Sequence, residues 1–177
     1  MSTQRRHFLR KAGLGVLAGG LAGWQLWRPA PAASAGSAAA DAAGPYAVTH
    51  TDAEWRALLT GPQYAVLRQE GTERPYSSPL NGEHRPGIFS CAGCQLALFS
   101  SKTKFDSGTG WPSFWQPLEN AVRTHEDRSF GMVRSAVSCR SCGGHLGHVF
   151  DDGPRPTGLR YCMNGVAMTF NSHERQS

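Results

Sequence analysis

Five cysteines carry most of the chemistry available to this sequence. Four form two Cys-x-x-Cys pairs, Cys91/Cys94 and Cys139/Cys142, with 44 residues between the pairs. The fifth, Cys162, lies in Arg160-Tyr161-Cys162-Met163-Asn164-Gly165, with no thiol near it in sequence and an arginine two residues before it. The thiolate is the reactive form of cysteine and a neighbouring cation favours it, so Cys162 is a candidate nucleophile. The plainer alternative is a buried, inert cysteine acting as a small apolar side chain.

The paired cysteines suit a metal. A tight turn between two strands puts both thiolates of a Cys-x-x-Cys on one side. Two such knuckles brought together make a tetrahedral four-sulfur site of the kind zinc prefers. Gly93, Gly143 and Gly144 let the backbone bend there. A thioredoxin-like redox pair is one alternative, but it calls for a single pair beside a βαβ pattern. Two structural disulfides in an exported protein are another. Four sulfurs leave no open position for water or substrate, so one Zn²⁺ on Cys91, Cys94, Cys139 and Cys142 is expected to be structural. His145 and His148 follow Cys142 closely. With four thiolates at hand they are not needed as ligands. That leaves them free for proton transfer near neutral pH, or as ordinary hydrogen-bonded histidines.

The elements that must hold these residues read as two short helices followed by strands. Thr51-Asp52-Ala53-Glu54 has the spacing of a capping box, with Trp55, Leu58 and Leu59 following at helical spacing. A second short helix is expected from Pro62 to about Glu70, burying Tyr64, Val66 and Leu67, and a breaker-rich loop follows from Gly71 to Pro79. From Gly87 on, short apolar runs bounded by Gly and Pro read as strands. They are 88–90 and 96–99 around the first pair, a hairpin of 121–125 and 130–138 turning at 126–128, then 145–150, 159–163 and 166–170. The expected fold is mainly β or α+β, with an antiparallel core, short N-terminal helices and a zinc knuckle pair.

Ahead of this lies a leader. Arg5-Arg6-His7-Phe8-Leu9 resembles a twin-arginine export signal; an apolar Gly/Ala-rich run follows, and Ala33-Ser34-Ala35 fits a small-residue cleavage site. The expected division is a signal over 1–35, a flexible lead-in over 36–49 and a domain over 50–172. A retained leader would instead act as a membrane tether. The formal charge of +5 belongs to that leader. Residues 1–35 hold five of the 18 basic residues and no acid, leaving 13 basic against 13 acidic residues in the remainder. A neutral remainder argues against a nucleic-acid partner, which needs a basic face.

Four segments together resemble the B-type peptide-methionine (R)-S-oxide reductases. They are the two cysteine pairs, Phe105-Asp106-Ser107-Gly108-Thr109-Gly110-Trp111-Pro112-Ser113-Phe114, Gly143 to Pro154, and Leu159-Arg160-Tyr161-Cys162-Met163-Asn164. The resemblance implies reduction of methionine-R-sulfoxide, mainly in proteins, with Cys162 as nucleophile. It implies His145 and His148 as acids, Arg160 and Asn164 as supporting catalytic residues, and Trp111, Phe150 and Asp152 around the substrate. The chemistry of the residues agrees. Sulfoxide oxygen leaves only when protonated, histidine is the side chain suited to that, and a methyl group on sulfur needs an apolar wall such as Trp111. The resemblance also implies a thioredoxin-like or other thiol reductant. Where the family usually carries a resolving cysteine this chain has Thr109, so a one-cysteine enzyme reset by an external thiol is expected. The expected protein is a periplasmic monomer, passed through the twin-arginine machinery, that repairs oxidised proteins. A non-catalytic zinc-ribbon module is the rival from another class. It gives Cys162, Arg160, His145 and His148 no reason to occur together.

Overall fold

The structure is a computed structural model, and it describes residues 46–128 and 133–172. The leader and most of the lead-in therefore lie outside the described residues. Two helices open the domain: α1 (Asp52–Leu58) and α2 (Gly61–Gln69). Thr51 caps α1 as expected, its side chain accepting from the Glu54 amide while Glu54 reaches back. A second capping box, Thr60 with Gln63, starts α2 one residue before the proline. The inner faces bury Trp55, Leu59, Tyr64, Val66 and Leu67. Leu58 points outward at 60% exposure, because only one side of a two-turn helix meets the core.

Among the described residues nine strands follow: β1 (Gly87–Cys91), β2 (Ala97–Ser100), β3 (Lys104–Phe105), β4 (Ser113–Phe114), β5 (Val122–Asp127), β6 (Arg134–Cys139), β7 (His145–Phe150), β8 (Arg160–Met163) and β9 (Met168–Ser172). They form a three-stranded sheet in the order β2-β1-β9 and a six-stranded sheet in the order β3-β4-β8-β7-β6-β5. Every pairing is antiparallel. The mainly β, antiparallel expectation holds. Among the described residues no helix is long and apolar enough to cross a membrane.

The core lies between the sheets. Phe99 stacks on Phe114 at 4.4 Å, Phe89 meets the same ring edge-on at 5.0 Å, and Val137, Leu146 and Met163 complete the layer. Along the large sheet the alternation is clean. Phe114, Tyr161, Met163, Val149 and Val137 share the core side. Ser113, Cys162, His148, Ala136 and His125 therefore share the other side, in register across β4, β8, β7, β6 and β5. The strands β3 and β4 are two residues long, too short for any alternation to announce them. The pairing of β4 with β8 nevertheless sets Ser113 beside Cys162.

Candidate active site and metal centre

The paired cysteines converge. Cys91 closes β1, Cys139 closes β6, and Cys94 and Cys142 lie on the turns that follow. All four sulfurs lie within 4.8 Å of one another, with Cys91–Cys142 at 3.7 Å and Cys94–Cys139 at 3.5 Å. A disulfide needs about 2 Å, and all five cysteines are free. Around a cation at the usual Zn–S distance of about 2.3 Å, tetrahedral sulfurs stand about 3.8 Å apart, so the spacing fits a metal. Contact with the neighbouring sulfurs, Cys139 foremost, pushes the Cys91 and Cys142 thiols up. A cation would remove that conflict by drawing all four to thiolate. The helices pack on this centre: Arg68 Nη1 donates to the Cys142 carbonyl at 3.0 Å, and its guanidinium lies over Trp55.

Cys162 lies outside the cluster, half-buried on the opposite side of the large sheet. A cavity of about 140 Å³ opens beside it, lined by Thr72, Trp111, Arg134, His148, Phe150, Cys162 and Asn164, with Gly147 between the strands. That glycine is required. A Cβ at residue 147 would stand 2.2 Å from the Cys162 carbonyl oxygen, so only glycine lets β7 and β8 close at Cys162.

The two histidines reach one face through a bulge. Val137 pairs with Gly147 and Ser138 with His145, which leaves Leu146 unpaired on β7. Residues three apart on a regular strand face opposite ways. The extra residue brings His145 and His148 to the same side, with ring centroids 5.3 Å apart. Their environments differ. His148 pairs across to Cys162, lines the cavity and bonds Asp127 Oδ2 through Nε2 at 2.9 Å. A carboxylate only accepts, so Nε2 carries the proton and Nδ1 is left to exchange one. Arg134 Nη2 donates to the same Asp127 oxygen at 2.7 Å. His145 sits behind, 5% exposed, with no hydrogen-bond partner at either ring nitrogen, and does not line the cavity. Burial, with His148 next in size, holds its pKa down to about 4.

Arg160 shares the Cys162 face of β8 and donates twice to the Asp152 carboxylate, both at 2.8 Å, while lying over the Phe150 ring. Asp152 is exposed and lies outside the cavity lining; Phe150 and Trp111 are part of it. Burial pushes the Cys162 thiol up; contacts with the Thr109 hydroxyl, 3.9 Å away, and with the Arg160 guanidinium act against that burial. Asn164 uses its amide to tie the site together: Oδ1 accepts from the Glu73 amide at 2.9 Å and Nδ2 donates to the Leu146 carbonyl at 3.1 Å.

Several contributors were not visible in the sequence. The Glu73 carboxylate accepts from the Gly165 and Val166 amides, and its carbonyl accepts from the Trp111 indole at 3.1 Å. The breaker-rich loop is thus the clamp that seats Trp111. Asp127 was read as part of the turn, yet β5 runs through it and pairs it with Arg134. Continuing the strand alternation two residues past His125 reaches it, on the same face.

The SelR domain family model matches residues 59–172. A "Peptide methionine sulfoxide reductase MsrB" of Agrobacterium fabrum is 53% identical over 124 residues, covering 70% of this chain and 92% of that protein. One of Methanosarcina mazei is 52% identical over 128 residues, covering 72% and 91%. One of Pseudomonas entomophila is 56% identical over 116 residues, covering 65% and 88%.

Proposed function

Because this chain belongs to the SelR-domain family of peptide methionine sulfoxide reductases, MsrB, we propose that it is the thiol-dependent reductase of the R epimer of methionine sulfoxide in oxidised proteins. The observation that carries the mechanism is Cys162 facing His148 across β7 and β8, in a cavity walled by Trp111 and Phe150. The substrate's methyl group packs on the two aromatic rings. The Cys162 thiolate attacks the sulfoxide sulfur, and His148, oriented by Asp127, protonates the oxygen. The protonated oxygen leaves as water, and a second water attacks the Cys162 sulfur and breaks its bond to the substrate sulfur, releasing methionine, leaving Cys162 as a sulfenic acid and returning a proton to His148. One external thiol then forms a mixed disulfide with Cys162 and releases water. A second thiol frees Cys162 and departs as the oxidised disulfide.

Arg160 serves as a cation near the sulfur, held by Asp152 and Phe150. Asn164 positions the β8 end, and His145 packs behind His148 as a neutral ring. Cys91, Cys94, Cys139 and Cys142 would hold one zinc ion, whose contribution is structural. The leader directs export of the monomeric domain by the twin-arginine route to the periplasm. That route carries folded proteins, so the metal is loaded before the thiols meet an oxidising compartment. A thioredoxin-like donor supplies the electrons.

The test is the turnover of each epimer of dabsylated methionine sulfoxide with dithiothreitol, by wild type and Cys162→Ser. Turnover of the R epimer by wild type alone is expected, with a loss of at least roughly a thousandfold in the variant. Equal activity in the two proteins, or turnover of only the S epimer, would contradict the proposal.

A further inference from the structure

The cavity beside Cys162 measures about 140 Å³, room for the end of one side chain and no more of a polypeptide. A larger groove of about 650 Å³ opens next to it. Its walls come from α2, from the turn at Pro79 and Leu80, and from the segment between β8 and β9. Ala65, Val66, Pro79, Leu80, Val166 and Met168 make those walls apolar. Among the described residues lining the groove, Glu73 alone is charged, and its carboxylate accepts from the Gly165 and Val166 amides. Groove and cavity share a border. Thr72, which is exposed, lines both. Asn164 lines the cavity, and Gly165, the next residue, lines the groove. Trp111 lines the cavity, and its indole donates at 3.1 Å to the carbonyl of Glu73, a groove residue.

We propose that this groove is a second substrate subsite, seating an apolar side chain of the polypeptide close in sequence to the oxidised methionine. A methionine sulfoxide within a protein brings its neighbours with it, and the small cavity has no room for them. In an extended segment, residues two apart point the same way and stand about 7 Å from each other. When the sulfoxide enters the cavity, the side chain two residues away on one flank is carried past Thr72 to the groove. Leucine, isoleucine, valine or phenylalanine there leaves water for the surfaces of Ala65, Leu80 and Val166. Aspartate or glutamate would lose its hydration to an apolar wall whose one charged residue is another carboxylate. The cavity thus reads the methionine itself, and the groove reads its context, for apolar and against acidic neighbours.

The inference rests on the reading of Cys162 and its cavity as the reductase site, and its test compares substrates of one enzyme. Peptides with a central methionine-R-sulfoxide carry leucine, glycine or aspartate two residues away on both flanks. The metal-loaded mature protein turns them over with dithiothreitol, beside N-acetylmethionine-R-sulfoxide, which has no flanking residues. The leucine peptide should exceed the glycine peptide in kcat/KM by about three- to thirtyfold, through KM, with aspartate below glycine. Ala65→Lys places an ammonium group at the groove. It should erase the leucine advantage, raise the aspartate peptide above glycine, and leave N-acetylmethionine-R-sulfoxide unchanged. Equal kcat/KM for the three peptides, or a leucine advantage that survives in folded Ala65→Lys, would overturn the inference. A groove that instead seats a second copy of the chain would give that same equality, with a change of oligomeric state in the variant. Should Ala65→Lys fail to fold, the wild-type peptide series decides alone. Absence of turnover of N-acetylmethionine-R-sulfoxide by wild type would contradict the reductase reading itself, so the two failures are distinguishable.

Discussion

At the cysteine cluster four sulfurs lie within 4.8 Å of one another; at Cys162 the sulfur's neighbour is a threonine hydroxyl 3.9 Å away. The same side chain is held in two opposite settings. In the cluster, β1, β6 and two turns bring the sulfurs to face each other, and a metal with four ligands has no position left for a reactant. At Cys162, three strands and two loops bring different groups to one sulfur: an imidazole, hydroxyls, a guanidinium and aromatic rings. The contrast teaches that the chemistry open to each thiol in this domain follows from what surrounds the sulfur rather than from its exposure. Cys94 and Cys162 are both partly accessible, yet Cys94 belongs to the four-sulfur cluster.

The largest effect that would break this contrast is removal of the proposed zinc ion. Extracting it with a strong chelator should unfold the domain, because structural zinc contributes on the order of 10 kcal/mol to the folding of small sites. Loss of the far-UV circular dichroism signal and of activity together is the expected result. A folded, active apo-protein would show that the four sulfurs support themselves.

A smaller effect separates the two histidines. His148→Asn should lower kcat by about a hundredfold to ten-thousandfold, the range of a positioned proton donor. His145→Asn should cost much less, since the ring does not line the cavity. Steady-state kinetics on both variants sharpens the division between the residue that moves a proton and the one that packs behind it.

The smallest effect concerns pH and stability. His145 is held down to about 4 by burial, against about 6.5 unfolded. Between those values the unfolded chain binds a proton that the folded one refuses. Stability is therefore complete above about pH 6.5 and falls as the pH drops toward 4, by up to about 3 kcal/mol. Urea midpoints from pH 7 to pH 4.5 should fall more steeply for wild type than for His145→Asn. Parallel slopes would contradict the assignment.

The regions differ equally in how well the sequence discloses them. The cysteine cluster was legible because its signal is local. Each Cys-x-x-Cys is complete in four residues, and its turn needs only the glycines beside it. The helices were legible for the same reason: the Thr51–Glu54 box states its own start. The site around Cys162 is assembled from five segments, and its register is set by non-local pairing. The bulge at Leu146 that turns His145 and His148 to one face leaves no mark in a three-residue spacing. Nor does a two-residue strand such as β4 announce that Ser113 will face Cys162. Glu73 was hidden because a loop carboxylate accepting two amides across 92 and 93 residues has no local pattern.

The central claim is that Cys162 reacts alone while the other four sulfurs stay with the metal. The most direct test is to treat the metal-loaded protein with methionine-R-sulfoxide in the absence of reductant, trap it with dimedone and map every cysteine by mass spectrometry. The account predicts one dimedone adduct, on Cys162, with Cys91, Cys94, Cys139 and Cys142 unmodified and the metal retained. A disulfide between Cys162 and any of those four, with release of metal, would contradict it.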